Sequence, residues 1–213
     1  VLQRLRARLR PREKLALRRA LGIAGKATSA AERAFAAGGS NAAAVIAAER
    51  AARLAGAWDV RALANLDSDE LRPYEFASDE RRVPLAIWFA ARYQGYWADR
   101  VAVRGSAPDG AAAEALAAMK REARPGTSAK SVAAAGLALL SSAACASALA
   151  YGLGAGIGSA LDQSPLIAPE SADRIEEGDV LSLRVFARTE SSVGFAGALV
   201  EVRDGGAIDL EPI

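Results

Sequence analysis

An α+β fold is predicted for this chain by the order of its elements: two helices, a group of strands, further helices and a closing group of strands, without regular alternation. A second observation is the long amphipathic stretch near the start, where Leu17, Leu21, Ala24, Ala31 and Phe35 recur at three- and four-residue spacings. The third is the aromatic hairpin pattern from Leu85 to Arg104. A chain of 213 residues can bury a core without disulfides or structural metal, and one domain over residues 13–213, preceded by a basic segment at residues 1–12, is expected.

The first helix is expected from Arg12 to Ala37, with Gly38-Gly39 ending it. Ser40 can cap a second helix running to about Gly56, whose apolar members include Val45, Ile46, Ala52 and Leu54. Ala57 to Ala64 alternates like a half-buried strand, and Asn65 to Asp79 is rich in turn and charged residues. Leu85 to Arg104 reads as two strands turning near Gln94-Gly95, with Trp88, Phe89, Tyr93, Tyr96 and Trp97 forming the densest aromatic cluster. A helix from about Gly110 to Arg124 stops at Pro125-Gly126, and another starts near Thr127 or Ser128 and fills the uncharged run that follows. Val180 to Ala187 and Gly197 to Val202 read as strands, with Asp204-Gly205-Gly206 as a turn.

Composition excludes several chemistries. The chain has no histidine, so no Ser-His or Cys-His pair can form, and its one cysteine, Cys145, gives neither a disulfide framework nor a thiolate pair for zinc. A lone cysteine in an apolar run fits a reducing compartment, and a cytoplasmic location is expected. Eight of the 27 basic residues fall between Arg4 and Arg19 beside one acid, Glu13, leaving 19 basic against 24 acidic residues elsewhere, a net of −5. This basic opening reads as a solvated helix or a linker, although it could touch an anionic surface. The uncharged stretch from Ser131 to Ala160 is long enough to cross a bilayer, but it is dominated by Ala, Ser and Gly and broken at Gly152-Leu-Gly-Ala-Gly156; a buried helix is expected instead, with no membrane insertion. The glycine series to Gly158 follows a helix, which is the wrong context for a dinucleotide loop.

Four motifs remain. Gly95-Tyr-Trp-Ala-Asp99, Ala123-Arg-Pro-Gly126, Tyr151-Gly-Leu-Gly-Ala-Gly-Ile-Gly158 and Glu177-Gly-Asp-Val-Leu-Ser-Leu183 follow one another in an order and spacing similar to the catalytic domain of the creatinase, prolidase and aminopeptidase P (M24) family. The resemblance runs from about Leu9 to Gly206 and implies the pita-bread fold, a curved antiparallel sheet covered by helices.

Active members of that family hold two divalent metals with two aspartates, a histidine and two glutamates. Carried over residue by residue, the first aspartate falls on Trp88 and the second on Asp99. The metal histidine falls on Ala155, a further histidine on Asp162, the first glutamate on Arg184 and the last near Gly197. Asp99 alone of the five ligand positions keeps a metal-binding side chain, and the guanidinium at Arg184 places a permanent positive charge where the ions would sit. No metal or other cofactor is therefore expected. Because the family uses positions 99 and 184 for one metal pair, the resemblance implies an ion pair between Asp99 and Arg184, with the arginine standing in for the cation.

Metallopeptidase activity is thus expected to be absent. The leading reading is an inactive relative that works by binding, as a homo-oligomer or beside an active subunit of the same family. Two alternatives come from other classes. One is a metal-independent, creatinase-like hydrolase of a small amide or guanidino compound, whose acid and base would have to come from Asp99, Asp162, Glu201, Tyr93, Tyr96 or a lysine. The other is nucleic-acid association, ranked last because only the basic opening supports it.

Overall fold

A computed structural model describes residues 9–66, 68, 70–73, 79–105, 110–190 and 192–213. Residues 1–8 of the basic segment, and parts of the turn-rich region between Asn65 and Asp79, lie outside the described residues. The chain forms two compact units, Ala16–Ala107 with Glu211–Ile213, and Val1–Leu15 with Pro108–Leu210.

In the first of these units, helix α1 (Pro11–Ala36) continues from the other unit and is followed by α2 (Asn41–Leu54). The start of α1 suits its sequence. Pro11 enters at a position that needs no backbone donor, and Glu13 accepts from the Arg10 N–H at 2.6 Å. Ser40 caps α2 by accepting from the Ala43 N–H.

An antiparallel sheet in the order β2-β1-β3-β4 follows, built from β1 (Asp59–Ala64), β2 (Arg72–Pro73), β3 (Leu85–Tyr93) and β4 (Tyr96–Arg104). Strands β3 and β4 join through Gln94 and Gly95, both at positive φ (49° and 90°), as a tight two-residue hairpin turn requires. Alternation sorts β3: Leu85, Ile87, Phe89 and Ala91 enter a core with Ala24, Ala27, Phe35, Val45 and Ala48 of the helices, and Trp88 and Ala90 point the other way. Burying Phe35 and Phe89 contributes about 2–3 kcal/mol each. A buried amide pair fixes the crossing from β1 to β3, with Asn65 Oδ1 accepting from the Ala86 N–H at 2.7 Å and from Asn41 Nδ2 at 3.1 Å.

The other unit holds α3 (Gly110–Glu122), α4 (Ala129–Leu137) and α5 (Ser142–Tyr151), with an antiparallel sheet in the order β6-β5-β7-β8-β9. Its strands are β5 (Gly154–Gly156), β6 (Gln163–Leu166), β7 (Val180–Arg188), β8 (Val193–Arg203) and β9 (Gly206–Asp209). The single helix expected to fill the uncharged run is instead two helices and a strand. Ser141 caps α5 through the Ala144 N–H, and α5 ends at Gly152, where φ is 76°. An Ala- and Ser-rich run lacks the apolar periodicity that would reveal the break. Among the described residues, no helix is long and apolar enough to cross a membrane.

The helices cover one face of this sheet. Leu181, Leu183, Val185 and Ala187 of β7 and Val200 and Val202 of β8 enter a core with Met119, Val132 and Ala148. A Cβ at Gly136 would lie 2.7 Å from Met119 Cγ, so glycine there permits the close approach of α4 to α3.

Candidate functional site

Strand pairing explains why an eleven-residue separation brings two side chains together. With a two-residue turn, Ala90 lies directly across from Asp99, and Trp88 is two residues before Ala90 on the same face. Trp88 and Asp99 are thus diagonal neighbours on the face of β3 and β4 away from the α1 and α2 core. The Trp88 indole Nε1–H donates to Asp99 Oδ2 at 2.7 Å, and the two residues are only 8% and 6% exposed. A buried carboxylate needs donors or a cation, and here the indole supplies one charge-assisted hydrogen bond.

The remaining candidates belong to the other unit. Ala155 lies across from Ser182 in the β5–β7 pairing, and Gly197 lies across from Arg184 in the β7–β8 pairing. Since Ser182 and Arg184 alternate with the core-facing Leu181, Leu183 and Val185, positions 155, 184 and 197 share one face. Gly197, near which sequence spacing placed the last position, is the direct cross-strand neighbour of Arg184. Asp162 joins the same group, because Arg184 Nη2 donates to its Oδ1 at 3.0 Å. The arginine side chain is 16% exposed and the aspartate 60%. A pair so open on one side contributes at most about 1 kcal/mol.

Sequence reasoning did not anticipate the Arg184–Asp162 pair or the Trp88–Asp99 hydrogen bond. The signal for the second was the eleven-residue spacing around a two-residue turn, which makes the contact geometric. For the first there was none, since Asp162 sits in a loop.

Glu201, also named as a possible acid or base, is engaged by two cations. Lys14 Nζ approaches its Oε1 at 2.5 Å and Arg203 Nη2 its Oε2 at 3.2 Å. Burial pushes the Glu201 carboxyl up, but the hydrogen bonds and charges of Lys14 and Arg203 outweigh it and hold the group below the ordinary value of 4.5. Among the described residues, no group of three or more His, Cys, Asp or Glu side chains is placed to hold a metal ion.

These two sheets and their helices have counterparts in solved structures. The prolidase from Pyrococcus horikoshii superposes with a TM-score of 0.80 at 18% identity, covering 98% of this chain and 64% of that one. The X-Pro aminopeptidase from Thermotoga maritima gives a TM-score of 0.80 at 19% identity, covering 100% of this chain and 64% of that one. A variant of aminopeptidase P from Escherichia coli gives 0.77 at 16% identity, covering 98% and 57%. At such identities the likeness is one of fold, the pita-bread fold, and the chain spans somewhat less than two thirds of the length of these relatives. Comparison with curated proteins by sequence gave no match. The model of metallopeptidase family M24 matches residues 16–208, nearly the whole chain, and the protein is therefore a member of that family.

Proposed function

We propose that this chain is a catalytically inactive M24 family member that acts by binding, as a subunit in a homo-oligomer or beside an active relative. The observation that carries the reading is the set of side chains at positions 88, 99, 155, 184 and 197. An indole, a carboxylate, a methyl group, a guanidinium and a glycine do not fit a pair of divalent ions, which need several oxygen or nitrogen donors. Asp99 accepts from the Trp88 N–H and Arg184 donates to Asp162, and each group keeps further hydrogen-bonding capacity that an ion pair between them would use. An ion pair between Asp99 and Arg184 belongs to the same proposal. A double-mutant cycle of Asp99→Ala and Arg184→Ala with no coupling would reject it.

Metal-free hydrolysis is the weaker reading, because each carboxylate named for general acid or base work has a partner: Trp88 for Asp99, Arg184 for Asp162, and Lys14 with Arg203 for Glu201. A base held in this way must break a contact before it can take a proton. A cytoplasmic location is also proposed, supported by Cys145 as the lone cysteine, its thiol directed at the Leu137 and Leu140 carbonyls.

Purification from the native source tests the reading. A stoichiometric protein partner, or a homo-oligomer, without cleavage of proline dipeptides is the expected result. A monomer that turns over such peptides would overturn it.

A further inference from the structure

Helix α2 buries Ala44, Val45, Ala48 and Ala52 on one side. Its outer side carries Ile46, Arg50 and Leu54 at four-residue spacing, which lines them up as one ridge about 12 Å long. The ridge is open to solvent: Ile46 is 51% and Leu54 80% exposed, and Arg50 between them is exposed and forms no ion pair among the described residues. Ala43, Ala47 and Ala51 make the next row around the helix, so a shallow trough runs beside the ridge. Trp58, four residues past Leu54, is 64% exposed. Its backbone is held on both sides, the N–H donating to the Arg92 carbonyl at 2.8 Å and the carbonyl accepting from Arg53 Nη1 at 2.9 Å. All of these residues belong to one compact unit.

We propose that the outer face of α2, with Trp58 at its end, docks a helix of a partner protein that carries an acidic side chain between apolar ones at four-residue spacing. Charge complementarity sets the acid, because Arg50 stands between Ile46 and Leu54 and a partner that covers these must supply a carboxylate to the guanidinium it desolvates. Shape sets the helix. A partner ridge of four-residue spacing fits the trough beside this one, which is the commonest way two helices pack. Trp58 adds an aromatic anchor of the kind on which interface energy concentrates, and its fixed backbone lowers the cost of ordering it. A second copy of the chain fits less well, since a two-fold pairing of α2 with itself, centred on the ridge, sets Arg50 against Arg50. An anionic membrane fits poorly too, because the broad apolar face of α2 that would enter it is already buried in a core. The proposal rests on the reading that this chain works by binding a partner, yet the two fail separately: peptide turnover would sink that reading and leave the docking face to its own test.

The test uses the whole chain and a labelled helical peptide with Leu, Glu and Leu at successive four-residue positions, titrated by fluorescence anisotropy beside a twin that has Lys in place of Glu. Saturable binding of the Glu peptide is expected. Trp58→Ala should weaken it at least about tenfold, as the loss of an aromatic anchor implies. Leu54→Ala, at an exposed helix position that alanine suits, should keep the fold and weaken binding about threefold or more. Arg50→Glu should reverse the preference, from the Glu peptide to the Lys peptide. Absence of saturable binding, a Kd unchanged by both alanine variants, or a preference unchanged by Arg50→Glu would overturn the proposal. So would a homodimer, or binding to phosphatidylserine vesicles, that Leu54→Ala abolishes.

Discussion

Replacing Trp88 by Phe removes one atom group of consequence, the indole N–H that donates to Asp99 Oδ2 at 2.7 Å. Both residues are buried, so water cannot readily replace the donor. A hydrogen bond to a charged group contributes about 1.5–3 kcal/mol, and the lost ring atoms add about 1 kcal/mol more through the small void they leave. The expected total is about 3 kcal/mol, a fall in Tm of roughly 6–12 °C for a chain of this size. The assay is thermal and urea unfolding of the wild type, Trp88→Phe, Asp99→Ala and the double variant. The cycle isolates the hydrogen bond from the packing loss, and a coupling of about 1.5–3 kcal/mol is predicted. A coupling indistinguishable from zero would show that the indole is only a core side chain and that the carboxylate draws its stabilisation elsewhere.

Two further outcomes follow from the same geometry. Glu201 has a lowered folded-state pKa, so its stabilising contribution is fully present above the unfolded value and is lost as pH falls through the folded one; Glu201→Gln should flatten the acid side of the stability profile below about pH 4.5, read by urea midpoints across pH. Gly154→Ala should destabilise by more than about 3 kcal/mol, measured by urea unfolding, because φ there is 140° and the new carbon would collide with the Ser182 carbonyl.

Sequence pattern made some of this structure legible and left other parts hidden, for physical reasons. The apolar spacing of Leu17, Leu21, Ala24, Ala31 and Phe35 located α1 because a helix buries one stripe, and Gln94-Gly95 located the hairpin because few residues tolerate its positive φ values. The two helices within the uncharged run were invisible, since Ala and Ser are accepted on both their buried and exposed sides. At the candidate site, motif order supplied the positions and the sheet supplied their neighbours: the β7–β8 register brought Gly197 opposite Arg184. Asp162 was missed as a partner because a loop aspartate carries no spacing rule that names what it binds, and Trp88 because its eleven-residue spacing from Asp99 becomes a contact only once the two-residue turn sets the β3–β4 register.

Bound metal, measured by plasma emission spectrometry on protein purified with manganese and cobalt supplied and then dialysed, tests the proposed loss of the metal site most directly. No stoichiometric metal is predicted, because the proposed correspondence puts Trp88, Ala155, Arg184 and Gly197 where donors are needed. One or two ions per chain, retained through dialysis and lost on Asp99→Ala, would contradict it.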